Sequence, residues 1–139
     1  MPRPRNILLV EDDRVDSMTI RRALEEVEIN NHLDTVSNGE EALAYLLSAE
    51  NELPALILLD LNMPMMNGME FMQTVKKHAS LKKIPVVVLT TSRAEQDISA
   101  SFELGAAGYM VKPLDYREFI EAVVTIARYW QLSELPEPQ

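Results

Sequence analysis

The sequence predicts an α/β fold, a five-stranded parallel sheet covered by helices on both faces, and three observations lead to it. Short apolar runs alternate with stretches of helical periodicity, five of each, along all 139 residues. The strongest runs are continuously apolar, as in strands buried on both faces of a parallel sheet. Four of the runs end on a residue able to carry chemistry: Glu11, Asp60, Thr90 and Lys112.

Ile7 to Val10 is the first apolar run, set between Pro4 and Glu11-Asp12-Asp13, and reads as a buried strand. Thr19, Ile20, Ala23, Leu24 and Val27 repeat at helical spacing, which predicts a helix over residues 15–28. A weaker strand follows at Leu33 to Val36, then a turn at Asn38-Gly39, and Ala42, Leu43, Leu46 and Leu47 mark a second helix. The third strand, Leu56 to Leu59, ends at Asp60. Pro64 and Gly68 break the chain before a helix carrying Met69, Met72 and Val75. Pro85 opens the strand Val86 to Leu89, which ends at Thr90. A helix from Ala94 to Leu104 is stopped by Gly105. The strand Tyr109 to Val111 ends at Lys112-Pro113, and Phe119, Ile120, Val123, Val124, Ala127 and Trp130 form the stripe of the last helix. This divides the chain into one domain over residues 1–132 and a short, frayed tail over 133–139. Neither repeats nor a second domain are expected.

Composition narrows the function. The chain is 47% hydrophobic and 25% charged, ordinary for a globular protein, and no stretch approaches the ~18 apolar residues of a membrane span. Two arginines precede Ile7, but acids follow the apolar run at once, unlike a secretory leader. Without cysteine there are no disulfides, thiol nucleophiles or thiolate metal sites, which fits a cytoplasmic protein. The net charge of −9, from 13 basic against 22 acidic residues, argues against direct nucleic-acid binding. The local cluster Lys76, Lys77, Lys82 and Lys83 reads as a solvated helix end, with contact to an acidic partner as the alternative.

In parallel α/β sheets, sites form beyond the carboxyl ends of the strands. That edge collects Glu11 and Asp12 after the first strand, Asp60 after the third, Thr90 at the end of the fourth and Lys112 after the fifth. One acid after a strand is an ordinary turn or helix cap; five chemically matched groups are a site. Clustered carboxylates repel, so they take up protons or a cation. Hard oxygen ligands suit Mg²⁺ or Mn²⁺. With Lys112 as a second positive charge and Thr90 as a hydroxyl donor, the set suits phosphoryl transfer, which needs chiefly positioning and charge neutralisation. Asp13 reads as a solvated helix-start residue.

The segments Leu8-Leu9-Val10-Glu11-Asp12-Asp13, Leu58-Leu59-Asp60-Leu61-Asn62-Met63-Pro64 with Asn67-Gly68, Val88-Leu89-Thr90-Thr91-Ser92 and Gly108-Tyr109-Met110-Val111-Lys112-Pro113 stand in the order of a known family. The chain resembles the receiver domains of two-component response regulators. The resemblance implies a flavodoxin-like (βα)5 fold with strand order 2-1-3-4-5. It implies Asp60 as phosphoacceptor, with Glu11, Asp12, Asp60 and the backbone carbonyl of Asn62 as ligands of Mg²⁺ or Mn²⁺. Thr90 and Tyr109 would be the switch pair, Lys112 the partner of the acyl phosphate, and the Lys112–Pro113 peptide cis. Glu11 stands where many relatives have Asp. Asn62 and Ser92 occupy positions that tune hydrolysis of the acyl phosphate in the family, or are ordinary polar loop residues.

The expected function is a single-domain response regulator. A sensor histidine kinase phosphorylates Asp60 in a Mg²⁺-dependent step, and a protein-interaction surface then changes; it is no enzyme beyond its own phosphorylation and dephosphorylation. A phosphate shuttle to a histidine phosphotransfer protein uses the same residues, and a non-phosphorylated scaffold is the further alternative. An aspartyl-phosphate phosphatase fits less well, since it needs Asp-x-Asp after the first strand. A flavin-binding module would need a hydroxyl- and glycine-rich loop where this chain has acids. The longer loop from His78 to Ile84, together with Tyr129-Trp130, is similar to regulators paired with phytochromes. Tyr129 and Trp130 read as core residues, with a homodimer contact as the alternative. The methionines Met63, Met65, Met66, Met69 and Met72 read as loop and core packing, with contact to a kinase as the alternative for Met65 and Met66.

Overall fold

The computed structural model describes residues 6–27 and 32–132. Strands β1 (Ile7–Val10), β2 (Leu33–Val36), β3 (Leu56–Leu59), β4 (Val86–Thr90) and β5 (Gly108–Val111) alternate with helices α1 (Arg14–Glu26), α2 (Gly39–Leu47), α3 (Gly68–Lys76), α4 (Glu95–Glu103) and α5 (Tyr116–Leu132). All pairings are parallel and the order is β2-β1-β3-β4-β5. This is the flavodoxin-like arrangement expected. Residue 28, the predicted end of the first helix, and the tail 133–139 lie outside the described residues.

Every residue of β1, β3 and β4 is buried, which explains their unbroken apolar runs. The period of two survives inside those runs as a division between faces. Leu8, Val10, Ile57, Leu59, Val86 and Val88 pack with Ala42, Leu46, Phe71, Met72 and Val75 from α2 and α3. Ile7, Leu9, Leu56, Leu58, Val87 and Leu89 pack on the opposite face with Ile20 and Leu24 of α1 and Phe119, Val123, Ile126 and Ala127 of α5. The edge strands β2 and β5 are less buried. In α5 the predicted stripe is rotated slightly: Ile126 is buried, whereas Ile120 and Val124 are half-buried.

Local chemistry sets the helix starts. Asp13 caps α1 by accepting the Asp16 N–H, as expected of a helix-start residue. Asn38-Gly39, read above as a turn, is instead the cap and first residue of α2. The segment is tied to the loop after β3 by the Gly39 N–H donating to the Met66 carbonyl at 2.8 Å. A Cβ on Gly39 would stand 2.7 Å from that oxygen, so only glycine allows the approach. Asn67 and Glu70 form a reciprocal capping box on α3. The long loop before β4 is closed by Leu81 and Lys82 N–H groups on the His78 carbonyl, and it buries Leu81 and Ile84. Among the described residues, no helix is long and apolar enough to cross a membrane.

Candidate functional site

The predicted groups meet at the carboxyl edge of the sheet. Glu11 and Asp60 follow neighbouring, paired strands, and the Asp60 N–H donates to the Val10 carbonyl at 3.0 Å, which locks the two strand ends together. Oxygens of Glu11, Asp12 and Asp60 lie within 4.8 Å of one another, with Glu11 and Asp60 buried and Asp12 exposed. Three hard carboxylates with one solvent-facing member fit a divalent cation such as Mg²⁺ or Mn²⁺ that keeps part of its water shell.

Lys112 spans the cluster. Its Nζ lies 2.6 Å from Glu11 Oε1, 2.8 Å from Asp16 Oδ2 and 3.8 Å from Asp60 Oδ2. Burial works against the ammonium, but its bonds to Asp16 and Glu11 outweigh this and hold its pKa above the ordinary lysine value. Glu11 is shifted chiefly by burial, which raises its carboxyl from 4.5 to about 7 despite the opposing Lys112 bond; the Asp60 charge adds to the rise. Glu11 also accepts the Asp13 N–H at 3.1 Å. Asp16 is the site residue that sequence reasoning missed. It stands in the first turn of α1, three residues after the Asp13 cap, a position that reads as routine helix-dipole complementation.

Thr90 is fully buried at the end of β4, the strand paired with the one that leads into Asp60. Its Oγ1 has the Asn62 side-chain amide and the Ser92 N–H each at 3.5 Å, the long limit of hydrogen bonding. The Asn62 N–H donates to Asp60 Oδ1 at 3.3 Å. Tyr109 on β5 is half-buried, and its hydroxyl donates to the Ser92 carbonyl at 3.0 Å. The resemblance implied a cis Lys112–Pro113 peptide; this is corrected, because the described residues contain no cis bond. Trans is the intrinsically favoured isomer by about 0.5–1 kcal/mol, and with it Lys112 already reaches both acids.

The loop after Asp60 is shaped by close backbone contact. A Cβ on Gly68 would lie 2.7 Å from the Asp60 carbonyl and from Leu61 Cα. Met65 has a φ of 64°, uncommon for a side chain of its size, and is 69% exposed. Met66 is half-buried against the core, and Met63 and Met72 are buried within it. Trp130 packs partly on the α1–α5 face, whereas Tyr129 is mostly exposed, their rings meeting edge to face at 4.9 Å.

This fold and constellation define a class: the chain belongs to the response regulator receiver domain family, whose family model matches residues 7–124. Within that family it is 40% identical over 131 residues to the response regulator Rcp1 of Synechocystis, a match covering 91% of this chain and 89% of that protein. It is 36% identical to the probable methanogenesis regulatory protein FilR2 of Methanothrix harundinacea, over 89% of this chain and 82% of that one. Among solved structures, the phosphorylated cyanobacterial phytochrome response regulator RcpA superposes with a TM-score of 0.92 at 37% identity, covering 97% of this chain and 100% of that one. The Mn²⁺-bound form of Rcp1 superposes with a TM-score of 0.90 at 37% identity, covering 96% and 100%. The chain is thus homologous to phytochrome response regulators.

Proposed function

We propose that the protein is a phosphorylation switch in which Asp60 accepts a phosphoryl group from the phosphohistidine of a sensor kinase. One observation carries the reading: a buried lysine, Lys112, stands 3.8 Å from the buried Asp60 carboxylate, held there by two other acids. An ammonium fixed in place before reaction stabilises developing phosphoryl charge without reorganising.

An Asp60 oxygen forms the new bond to phosphorus as the donor's phosphorus–nitrogen bond breaks. The bonding pair stays on the imidazole, which takes a proton from solvent. Lys112 neutralises one phosphoryl oxygen. Glu11, Asp12, Asp60 and the Asn62 carbonyl would hold Mg²⁺ or Mn²⁺, which when bound supplies further charge neutralisation. Thr90 leaves its two long contacts and donates its hydroxyl to a phosphoryl oxygen. Tyr109 gives up Ser92 and moves toward the space Thr90 vacates, altering the surface of α4, β5 and α5 that a protein partner reads. The phytochrome regulators among the relatives support a phytochrome-type kinase as donor, in the cytoplasm. Residues 1–132 would form the receiver, with 133–139 as a tail.

The test is intact-mass detection of a phosphoryl adduct after incubation with Mg²⁺ and acetyl phosphate. The adduct is expected in the wild type, and absent in Asp60→Asn and with EDTA. No adduct, together with no binding of Mg²⁺ and beryllofluoride, would leave a scaffold and end the phosphoacceptor reading.

A further inference from the structure

The start of α4 has no cap of its own. Asp13, Asn38 and Asn67 each accept a backbone N–H at the head of α1, α2 and α3, and Asp115 accepts those of Arg117 and Glu118 ahead of α5. α4 opens on Ala94, which makes no side-chain cap bond. Its first turn is held from two residues upstream. The Ser92 hydroxyl accepts the Ala94 N–H at 3.3 Å and donates to Asp97 Oδ2 at 2.6 Å. A hydroxyl–carboxylate bond that short belongs to the strong, charge-assisted kind.

The main chain of Ser92 engages the other side. Its N–H lies 3.5 Å from Thr90 Oγ1, and its carbonyl accepts the Tyr109 hydroxyl at 3.0 Å. One residue therefore touches both switch side chains through its backbone and the helix start through its hydroxyl. The remainder of α4 is lightly held. Ser101 is its buried residue, and its far end is fastened to α3 by Lys76 Nζ donating to the Glu103 carbonyl at 2.7 Å. A helix with so little apolar burial depends on its few polar ties for local order.

We infer that Asp97 is a positioning residue of the switch: its hydrogen bond to Ser92 is the link by which a change at Thr90 and Tyr109 reaches the first turn of α4. The inference rests on the phosphorylation reading above and adds to it a route and a residue. Thr90 cannot turn toward Asp60 without releasing the Ser92 N–H, and any shift of Ser92 pulls on Asp97 and the Ala94 N–H together. The coupling is local, through the contacts that Ser92 makes with Thr90, Tyr109, Ala94 and Asp97, rather than through the body of the sheet.

Hydrogen exchange over residues 92–100 of the full chain tests it, with and without Mg²⁺ and beryllofluoride. The variants are Ser92→Ala, Asp97→Ala, the double variant and Ser92→Thr, which keeps the hydroxyl. In the free protein, exchange in the first turn of α4 should rise roughly tenfold in either alanine variant, the effect of losing one bond to a charged group. It should rise no further in the double variant. In the wild type and in Ser92→Thr, beryllofluoride should change exchange at Glu95 to Ile98; in both alanine variants that response should be lost although the ligand still binds. Unchanged exchange in either free variant, additive effects, or a full beryllofluoride response in the alanine variants would each overturn the inference, as would a wild type that binds beryllofluoride with α4 unmoved. A wild type that binds none at all would instead overturn the phosphorylation reading, while the free-protein comparison still reads the cap.

Discussion

At the scale of single residues, Glu11 carries a pH signature. Its folded carboxyl titrates at about 7 against an ordinary 4.5, so the folded chain holds this proton more tightly than the unfolded one. Its contribution to stability is complete below pH 4.5 and is lost as pH rises through about 7. With EDTA present, the denaturant midpoint of the wild type should therefore fall across that window relative to Glu11→Gln, which has no proton to lose. A cation at the cluster needs Glu11 ionised, so Mg²⁺ affinity measured by titration should weaken as pH falls below about 7. Gly68 bears on the same pocket from beneath. An added Cβ would meet the Asp60 carbonyl and Leu61 Cα, both backbone atoms with little room to yield. Gly68→Ala should cost about 1–3 kcal/mol in denaturant unfolding and should slow phosphoryl uptake by displacing Asp60. Asp16 shows the limit of reading residues singly. Nothing in the run from Arg14 to Glu26 marks it as a ligand of Lys112, since the two are 96 positions apart.

At the scale of elements, caps and crossovers explain what was readable. Gly105, at a φ of 96°, ends α4 where the sequence placed the stop, and the strand limits agree with the apolar runs to within a residue or two. The Asn38-Gly39 pair misled because Asn-Gly is as good a cap and helix start as it is a turn; the choice was made by the Met66 carbonyl across the loop. Two cap substitutions should act oppositely. Asn67→Ala removes half of a capping box and should cost about 1 kcal/mol of stability. Ala94 already has the extended conformation of a cap, with φ −67° and ψ 128°, so Ala94→Asp should give α4 a cap of its own and add about 0.5–1 kcal/mol. Denaturant midpoints at fixed slope would measure both.

At the scale of the whole molecule, the sheet orders the stability. β1, β3 and β4 lie between two packed faces, whereas β2 and β5 are half-exposed edges. Native-state hydrogen exchange should be slowest in the three central strands and faster in both edges and α4; protection that is uniform across the sheet would contradict this picture. The sequence by itself determined the alternation of elements and the chemical membership of the site. Continuous apolar runs mark fully buried strands, and a parallel sheet delivers each strand's carboxyl end to one edge. Only the tertiary structure decided how those members pair: Lys112 joined to Glu11 and Asp16 across 101 and 96 positions, the trans bond before Pro113, and the hydroxyl of Ser92 given to Asp97. The physical reason is range. Periodicity and caps act over a turn or a strand and are written locally, whereas the partner of a buried charge depends on which helix faces and strand ends the crossovers bring within about 3 Å, a distance set by packing.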